Sequence, residues 1–95
     1  MPMENNLFMY DITDEEIIKK SEPINEDEKT LLNILLTTFG DFASIPEISE
    51  TLKISKTYLY RAKNQRKFVT YSVGGRKVVL TKTLINFIRT FEGDE

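Results

Sequence analysis

Hydrophobic and polar positions along the chain predict five helices and one β-hairpin. Capping residues mark the starts of the first four helices, because Thr13, Asn25, Ser44 and Ser55 can each accept a hydrogen bond from a first-turn amide. Three of these caps have Glu three residues later, which is the capping-box spacing. The first helix is predicted to be short, since Pro23 prevents its continuation.

The second helix is apolar around much of its circumference. It is predicted to run to about Phe39, with Gly40 ending it. Its apolar side chains cover more than the usual third of a helix surface: Leu31, Leu32, Ile34, Leu35, Leu36 and Phe39. Such a helix is either the central helix of a domain or one that packs against a second subunit, and we favour a homodimer.

The segment 68–80 is predicted to form a β-hairpin around Gly74-Gly75, because a type I′ turn needs positive φ at both central positions. This turn places Val73 opposite Arg76, so both cations of the hairpin lie at its tip. The register predicts one core-facing side, made of Val69, Tyr71, Val73, Val78 and Leu80. A short strand is predicted at 41–43, and Thr81 is predicted to cap the last helix.

The composition limits the class of protein. The 95 residues suit a single domain, and they contain neither cysteine nor histidine. Disulfides, thiolate metal sites and the commonest general base are therefore excluded, and we expect no enzyme, no cofactor and no metal. Apolar runs are too short for a membrane span or a signal-peptide core, which predicts a cytoplasmic protein without membrane contact.

Charge is distributed unevenly along the chain. Residues 1–30 carry nine acids against three lysines, whereas residues 51–91 carry ten Lys or Arg and no acid. A continuous basic stretch with an acidic appendage is typical of nucleic-acid binding. The acids have a simpler interpretation as first-turn residues that stabilise helix N-termini.

Two short helices with a tight turn at Lys53-Ile54, followed by a hairpin, predict a winged helix-turn-helix. The fold class is therefore mainly α with a β-hairpin wing and extra N-terminal helices. In the fourth helix (56–65), Tyr58, Leu59 and Ala62 point toward the core. The opposite face holds cations, a hydroxyl, a phenol and an amide without any acid, and such groups bind phosphates and base edges. It comprises Lys56, Thr57, Tyr60, Arg61 and Asn64.

Residues 44–88, "SIPEISETLKISKTYLYRAKNQRKFVTYSVGGRKVVLTKTLINFI", resemble the excisionase-type helix-turn-helix domain, which is related to the MerR-type domain. The family reads Glu, Leu and Ser around the turn, Tyr-Arg in the fourth helix and Val-Gly-Gly-Arg in the wing. Matching positions are Glu47, Leu52, Ile54, Ser55, Leu59, Tyr60, Arg61, Val73, Gly74, Gly75, Arg76 and Leu84. The chain departs from the pattern at Lys53 and Arg66, where Gly is favoured, at Val69, where Pro is common, and at Ser72, which replaces a frequent Arg.

The resemblance implies DNA binding, with the fourth helix in a major groove and the wing on the flanking minor groove. The candidate DNA-binding residues are Ser55, Lys56, Thr57, Tyr60, Arg61, Asn64, Lys67, Ser72, Gly74, Gly75, Arg76 and Lys77. In this scheme residues 1–24 form an acidic extension, 25–91 form the DNA-binding domain and 92–95 form a polar tail.

The function expected from these features is sequence-specific double-stranded DNA binding, by an accessory factor of a mobile element that acts in excision, recombination or conjugative transfer. Its partners would be a second copy, bound as a homodimer or side by side on repeats, and a recombinase or relaxase. One alternative is a small transcriptional regulator. Another class is a protein-interaction module that works through the acidic N-terminal third.

Overall fold

The computed structural model describes residues 12–91, so the segments 1–11 and 92–95 of the predicted domain scheme lie outside the described part. The chain is mostly helical with a three-stranded antiparallel sheet. The elements are α1 (Asp14–Lys20), α2 (Glu26–Phe39), β1 (Phe42–Ala43), α3 (Ile45–Leu52), α4 (Lys56–Asn64), β2 (Thr70–Val73), β3 (Arg76–Leu80), a 3₁₀ turn (Thr81–Thr83) and α5 (Leu84–Arg89). Within residues 12–91, no helix is long and apolar enough to cross a membrane.

The predicted starts of the first four helices are confirmed. Thr13 and Ser44 each form a complete capping box with the Glu three residues later. Asn25 and Ser55 accept first-turn amides, with Asn25 Oδ1 lying 2.8 Å from the Glu28 nitrogen. In each of these four helices, the cap side chain thus accepts a hydrogen bond from one first-turn amide that has no partner within the helix.

The hairpin has the predicted register. Gly74 and Gly75 have φ of 58° and 83°, as the two-residue turn requires, and Val73 pairs with Arg76. The predicted short strand β1 pairs with β3 on its other side, and the strand order is β1-β3-β2. β2 is therefore an edge strand of the described sheet.

The predicted core face of the hairpin is wrong. Val79 is fully buried and faces the helices together with Ala43, its partner on β1. The other face carries the side chains that the sequence predicted to be buried, and four of them are exposed or half-exposed: Tyr71, Val73, Val78 and Leu80. Side chains alternate along a strand, so choosing the neighbouring residue as the inward one reverses every other assignment. Val69, which precedes β2, is buried as predicted.

One core joins the helices to the inner face of the sheet. Phe87 lies at its centre, with its ring centroid 5.6 Å from that of Phe68 and 6.1 Å from that of Tyr58. From α2 only Leu35 is buried, whereas Ile34 remains 56% exposed. The apolar surface of α2 is thus only partly buried within residues 12–91, and the homodimer stays a prediction.

Two arginines of the basic stretch hold the N-terminal helices in place. Arg66 pairs with Asp14 at 2.6 Å and also donates to the Ile12 carbonyl. Arg89 binds both carboxylate oxygens of Glu28 and donates to the carbonyls of Lys20 and Glu22. These cations are therefore structural.

The hydrogen bond from Arg89 lowers the pKa of Glu28 below its ordinary value. A carboxylate whose pKa falls on folding stabilises the folded chain above the ordinary pKa of Glu. That contribution is lost as the pH falls through the lowered value.

Thr81 does not cap the last helix. A 3₁₀ turn intervenes, α5 begins at Leu84, and neither helix start has a side-chain cap. The Thr81 hydroxyl is buried and has no partner among the described residues. Thr83, two residues later, accepts the Val69 amide at 3.0 Å and donates to the Leu80 carbonyl at 2.6 Å. The Thr83 hydroxyl is thus the partner of the Val69 N–H. A proline at position 69, as is common in the resembled family, would have no N–H to donate.

This pair of threonines gives a matched test of the buried hydroxyls. Thr83→Val leaves the Val69 amide without a partner, so we expect a loss of about 1–3 kcal/mol in the free energy of unfolding. Thr81→Val removes a hydroxyl that bonds to nothing within residues 12–91, and we expect no loss. Urea unfolding of both variants measures the difference, and equal losses would contradict the hydrogen-bond assignment.

Candidate nucleic-acid interface

The turn between α3 and α4 keeps a glycine-like backbone without glycine. Lys53 has φ of 61°, in the left-handed region. Its amide and that of Ile54 both bond to the Ser49 carbonyl, which closes the end of α3. Ser55 then caps α4 directly, so only three residues separate the two helices.

The two faces of α4 are divided as the sequence predicts. Leu59 and Ala62 are buried against the core, and Tyr58 is half-buried. Every candidate residue from this helix and its cap is exposed: Ser55, Lys56, Thr57, Tyr60, Arg61 and Asn64. The helix presents two cations, two hydroxyls, a phenol and an amide to solvent on one element.

Arg61 contacts an aromatic side chain on its own helix. Its guanidinium carbon lies 5.9 Å from the centroid of the Tyr58 ring, within the range of a cation–π interaction. That ring is itself packed edge-on against Phe91, with centroids 5.1 Å apart. The guanidinium of the exposed Arg61 therefore has one contact on its own helix, with a ring that is packed against the core.

The end of α4 also uses a left-handed residue where the resembled family favours Gly. Arg66 has φ of 60°, and the bonds from Arg66 N to Lys63 O and from Lys67 N to Ala62 O form a Schellman motif. Of the candidate residues, Lys67 is the one that is half-buried, and its ammonium lies 3.4 Å from the Thr90 carbonyl at the end of α5. Its ammonium thus has a hydrogen-bond partner within the fold, whereas that of Lys56 has none within residues 12–91.

The hairpin tip separates its two cations onto opposite faces. Lys77 donates to the Ser72 hydroxyl at 3.0 Å, so these two candidates form one polar pair. Arg76 lies on the other face beside Val73. An added Cβ at Gly74 or Gly75 would meet no atom within 4 Å, so the glycines are required here by their positive φ and not by crowding.

Most cations of residues 51–91 form no ion pair with the described residues 12–91. Arg66 and Arg89 pair with acids from the N-terminal third, whereas Lys56, Arg61, Arg76 and Lys77 form no ion pair with described residues. The sequence candidates omitted Lys53, an exposed cation in the turn between α3 and α4. Its position in the turn between the two helices could have identified it as a candidate from the sequence.

Residues 12–91 hold no group of three or more metal-ligating side chains.

Comparisons with protein-family models, with curated proteins and with solved structures find no match to the chain. The resemblance to the excisionase-type domain accordingly rests on the sequence of residues 44–88 alone. The functional argument depends on the exposed face of α4, the hairpin tip and the charge of both.

Proposed function

We propose that the chain is a sequence-specific double-stranded DNA-binding protein of the winged helix-turn-helix type. The observation that supports this proposal is the exposed, acid-free polar face of α4 together with the two cations of the hairpin tip, which form no ion pair within residues 12–91. The α3–turn–α4 unit followed by a hairpin also fits it, and so do Lys53 and Arg66, which take left-handed φ where the resembled family favours Gly.

The residues of α4 have distinct roles in this proposal. Arg61 and Asn64 lie on the exposed face and suit the edges of guanine and adenine, respectively. Lys56, at the start of the helix, suits a phosphate, as do the hydroxyls of Ser55 and Thr57. The helix lies in the major groove, and these contacts fix its position there.

The hairpin acts as the wing. Arg76 enters the minor groove beside the major-groove site, where A·T-rich sequence narrows the groove and concentrates negative potential. Lys77 and Ser72 contact the adjacent phosphates. Because DNA carries its charge along the backbone, this part of the interface contributes affinity as well as a preference for flanking sequence.

The biological role proposed for this activity is an accessory factor in excision, recombination or conjugative transfer of a mobile element. A recombinase or relaxase is the expected enzyme partner, and a transcriptional regulator is the alternative role. Side-by-side binding would use α2, on which Ile34 is exposed.

The acidic N-terminal third is less well suited to be the working surface. Asp14 and Glu28 are already paired with Arg66 and Arg89. The Glu16 carboxylate accepts a hydrogen bond from the Thr13 amide. These acids therefore have partners inside the chain, and their presence is explained without a contact to another protein.

A salt titration of binding to random-sequence duplex tests the proposal. If three to five phosphates are neutralised, the logarithm of the association constant falls linearly with log salt, with a slope of about −3 to −4.5. Removing Lys56, Arg61, Arg76 and Lys77 together by alanine substitution should abolish most of the binding. The control removes the exposed Lys19 and Lys20 of α1 instead and should retain the slope. Affinity that does not change with salt, or equal loss in both variants, would contradict DNA binding through this face.

A further inference from the structure

The strand β2 has one edge without a partner among residues 12–91. In the sheet order β1-β3-β2 it bonds to β3 on one side only. The Leu80 amide donates to the Val69 carbonyl at 2.9 Å, so Val69 and its alternate neighbours bond toward β3. Thr70 and Ser72, which alternate with them, therefore direct their amides and carbonyls toward the open edge.

This edge has none of the features by which proteins prevent strand pairing. Edge strands are usually blunted by charged side chains, by proline or by a bulge. β2 (Thr70–Val73) contains neither a charge nor a proline. All of its residues pair with β3 in an unbroken register, so there is no bulge in it. The backbone of β2 is thus able to accept another strand.

Next to the open edge, the outer face of the sheet is apolar. Phe42 is 50% exposed, Tyr71 39% and Val73 59%. The rings of Phe42 and Tyr71 meet edge to face, with centroids 6.1 Å apart. Both line a groove of about 590 Å³, together with Ser72, Val73 and Val78. A strand added along β2 would therefore cover part of this apolar face as well as pair with the edge.

The open edge of β2 is complementary to itself. In an antiparallel pair, outward-directed residues of one strand lie opposite outward-directed residues of the other. Thr70 would therefore lie opposite Ser72 of a second copy, and each such pair exchanges both of its backbone hydrogen bonds. The two-fold axis then passes Tyr71, which lies opposite Tyr71 of the second copy. Such self-complementary contacts are the ones that two-fold dimers use.

We propose that a second copy of the chain pairs with this edge, β2 against β2, in antiparallel register about Tyr71. The two tyrosine rings lie side by side on the outer face, because opposite residues point to the same side of a sheet. The cations of the hairpin do not prevent this contact. The two β3 strands are three strand spacings apart, about 14 Å, which exceeds the ~8 Å Debye length at physiological salt. The contact does not involve α2.

The contact is small for a stable dimer. An aromatic side chain buries about 150–250 Å², so the exposed parts of two rings and one valine offer on the order of 300 Å² per copy. A stable interface buries about 800 Å² on each partner. We therefore expect the free protein to pair weakly. Under the proposed function, on which this step alone rests, DNA with two adjacent half-sites holds two copies together at about millimolar effective concentration. The two-fold axis requires these half-sites to be inverted.

Disulfide trapping tests the register, because the chain contains no cysteine. Tyr71→Cys places a thiol at the axis, where opposite Cα atoms lie about 4.5 Å apart, within the range that a disulfide spans. Val73→Cys is the matched control. Val73 is exposed on the same face of the same strand, but its two copies lie about 13 Å apart. Under mild oxidation, Tyr71→Cys should give a disulfide-linked dimer ~10-fold faster than Val73→Cys, and faster still on inverted half-sites.

A backbone substitution tests the same contact through its hydrogen bonds. Thr70→Pro removes an N–H that points to the open edge, at the first residue of an edge strand, where proline is tolerated. Combined with Tyr71→Cys, it should slow cross-linking about 10-fold, whereas Thr70→Ala keeps the N–H and should not. Hydrogen exchange of buried amides, such as that of Leu59, reports that each variant is folded.

The other outcomes separate this proposal from DNA binding. Equal rates for Tyr71→Cys and Val73→Cys, or no cross-linking of either on a duplex that both bind, would overturn the pairing and leave the proposed function standing. Cross-linking of Tyr71→Cys that Thr70→Pro does not slow would show that the strands do not pair along this edge. Cross-linking of the free protein as expected, without any binding to duplex, would support the pairing and contradict the proposed function.

Discussion

Asn64→Ala is expected to weaken binding to the specific DNA site by about 5- to 150-fold while leaving binding to random duplex nearly unchanged, since a good bidentate base contact contributes about 1–3 kcal/mol of discrimination. The side chain is exposed on α4, on the same element as the exposed Arg61 and Lys56. An amide matches the donor and acceptor of adenine and is uncharged, so its loss should remove specificity and not electrostatic attraction.

The measurement uses a site enriched from a pool of random-sequence duplexes, and compares its affinity with that of an unselected duplex. Asn33→Ala is the matched control, because Asn33 is also an exposed asparagine within a helix, on α2. It should leave both affinities unchanged. If Asn64→Ala weakens the two duplexes equally, Asn64 contacts the backbone and the assignment to a base edge is wrong.

The parts of the fold that sequence predicted are those determined by near neighbours. A cap at Ser44 requires only Glu47, three residues away, and the two-residue turn at Gly74-Gly75 sets the register of the strands that flank it. The division of α4 into a buried and an exposed face follows from its own periodicity. These interactions are local, so the sequence contains all the information that they need.

The inward face of the sheet could not be predicted in the same way. β3 contains Val78, Val79 and Leu80 in succession, so either set of alternating residues satisfies the apolar pattern. The helices pack on the face where Val79 lies beside the small Ala43 of β1. That choice depends on packing between distant segments, and it left the side with Tyr71 and Val73 open.

The basic stretch was also less uniform than its sequence indicated. Arg66 and Arg89 contribute to its count of cations, yet they bind Asp14 and Glu28, which lie 52 and 61 positions away. Sequence can identify a run of cations, but the acids that neutralise some of them are brought in by the tertiary fold. The candidates on α4 and at the hairpin tip were predicted because their exposure follows from local geometry.

Arg76→Ala and Lys77→Ala are expected to have different effects on DNA binding, although the two residues are adjacent in sequence. Arg76 and Lys77 lie on opposite faces of the hairpin, and Lys77 is already held 3.0 Å from the Ser72 hydroxyl. A narrow A·T-rich minor groove attracts an inserted arginine, so Arg76→Ala should lower affinity most on A·T-rich flanks and remove the preference for them. Lys77→Ala should lower affinity evenly across flanks and reduce the magnitude of the salt slope by about one.

Binding of each variant to duplexes that share one core site and differ only in A·T-rich or G·C-rich flanks separates these effects, when it is repeated over a range of salt concentrations. Lys82→Ala is the matched control, because this exposed lysine lies in the 3₁₀ turn beyond Leu80, the far end of β3, and Leu80 is itself about 10 Å along the strand from Lys77. It removes the same charge but lies away from the tip, so the slope should not change. If Arg76→Ala binds both flanks as tightly as the unaltered chain, the hairpin supports the fold without contacting DNA, and affinity and specificity must both come from α4.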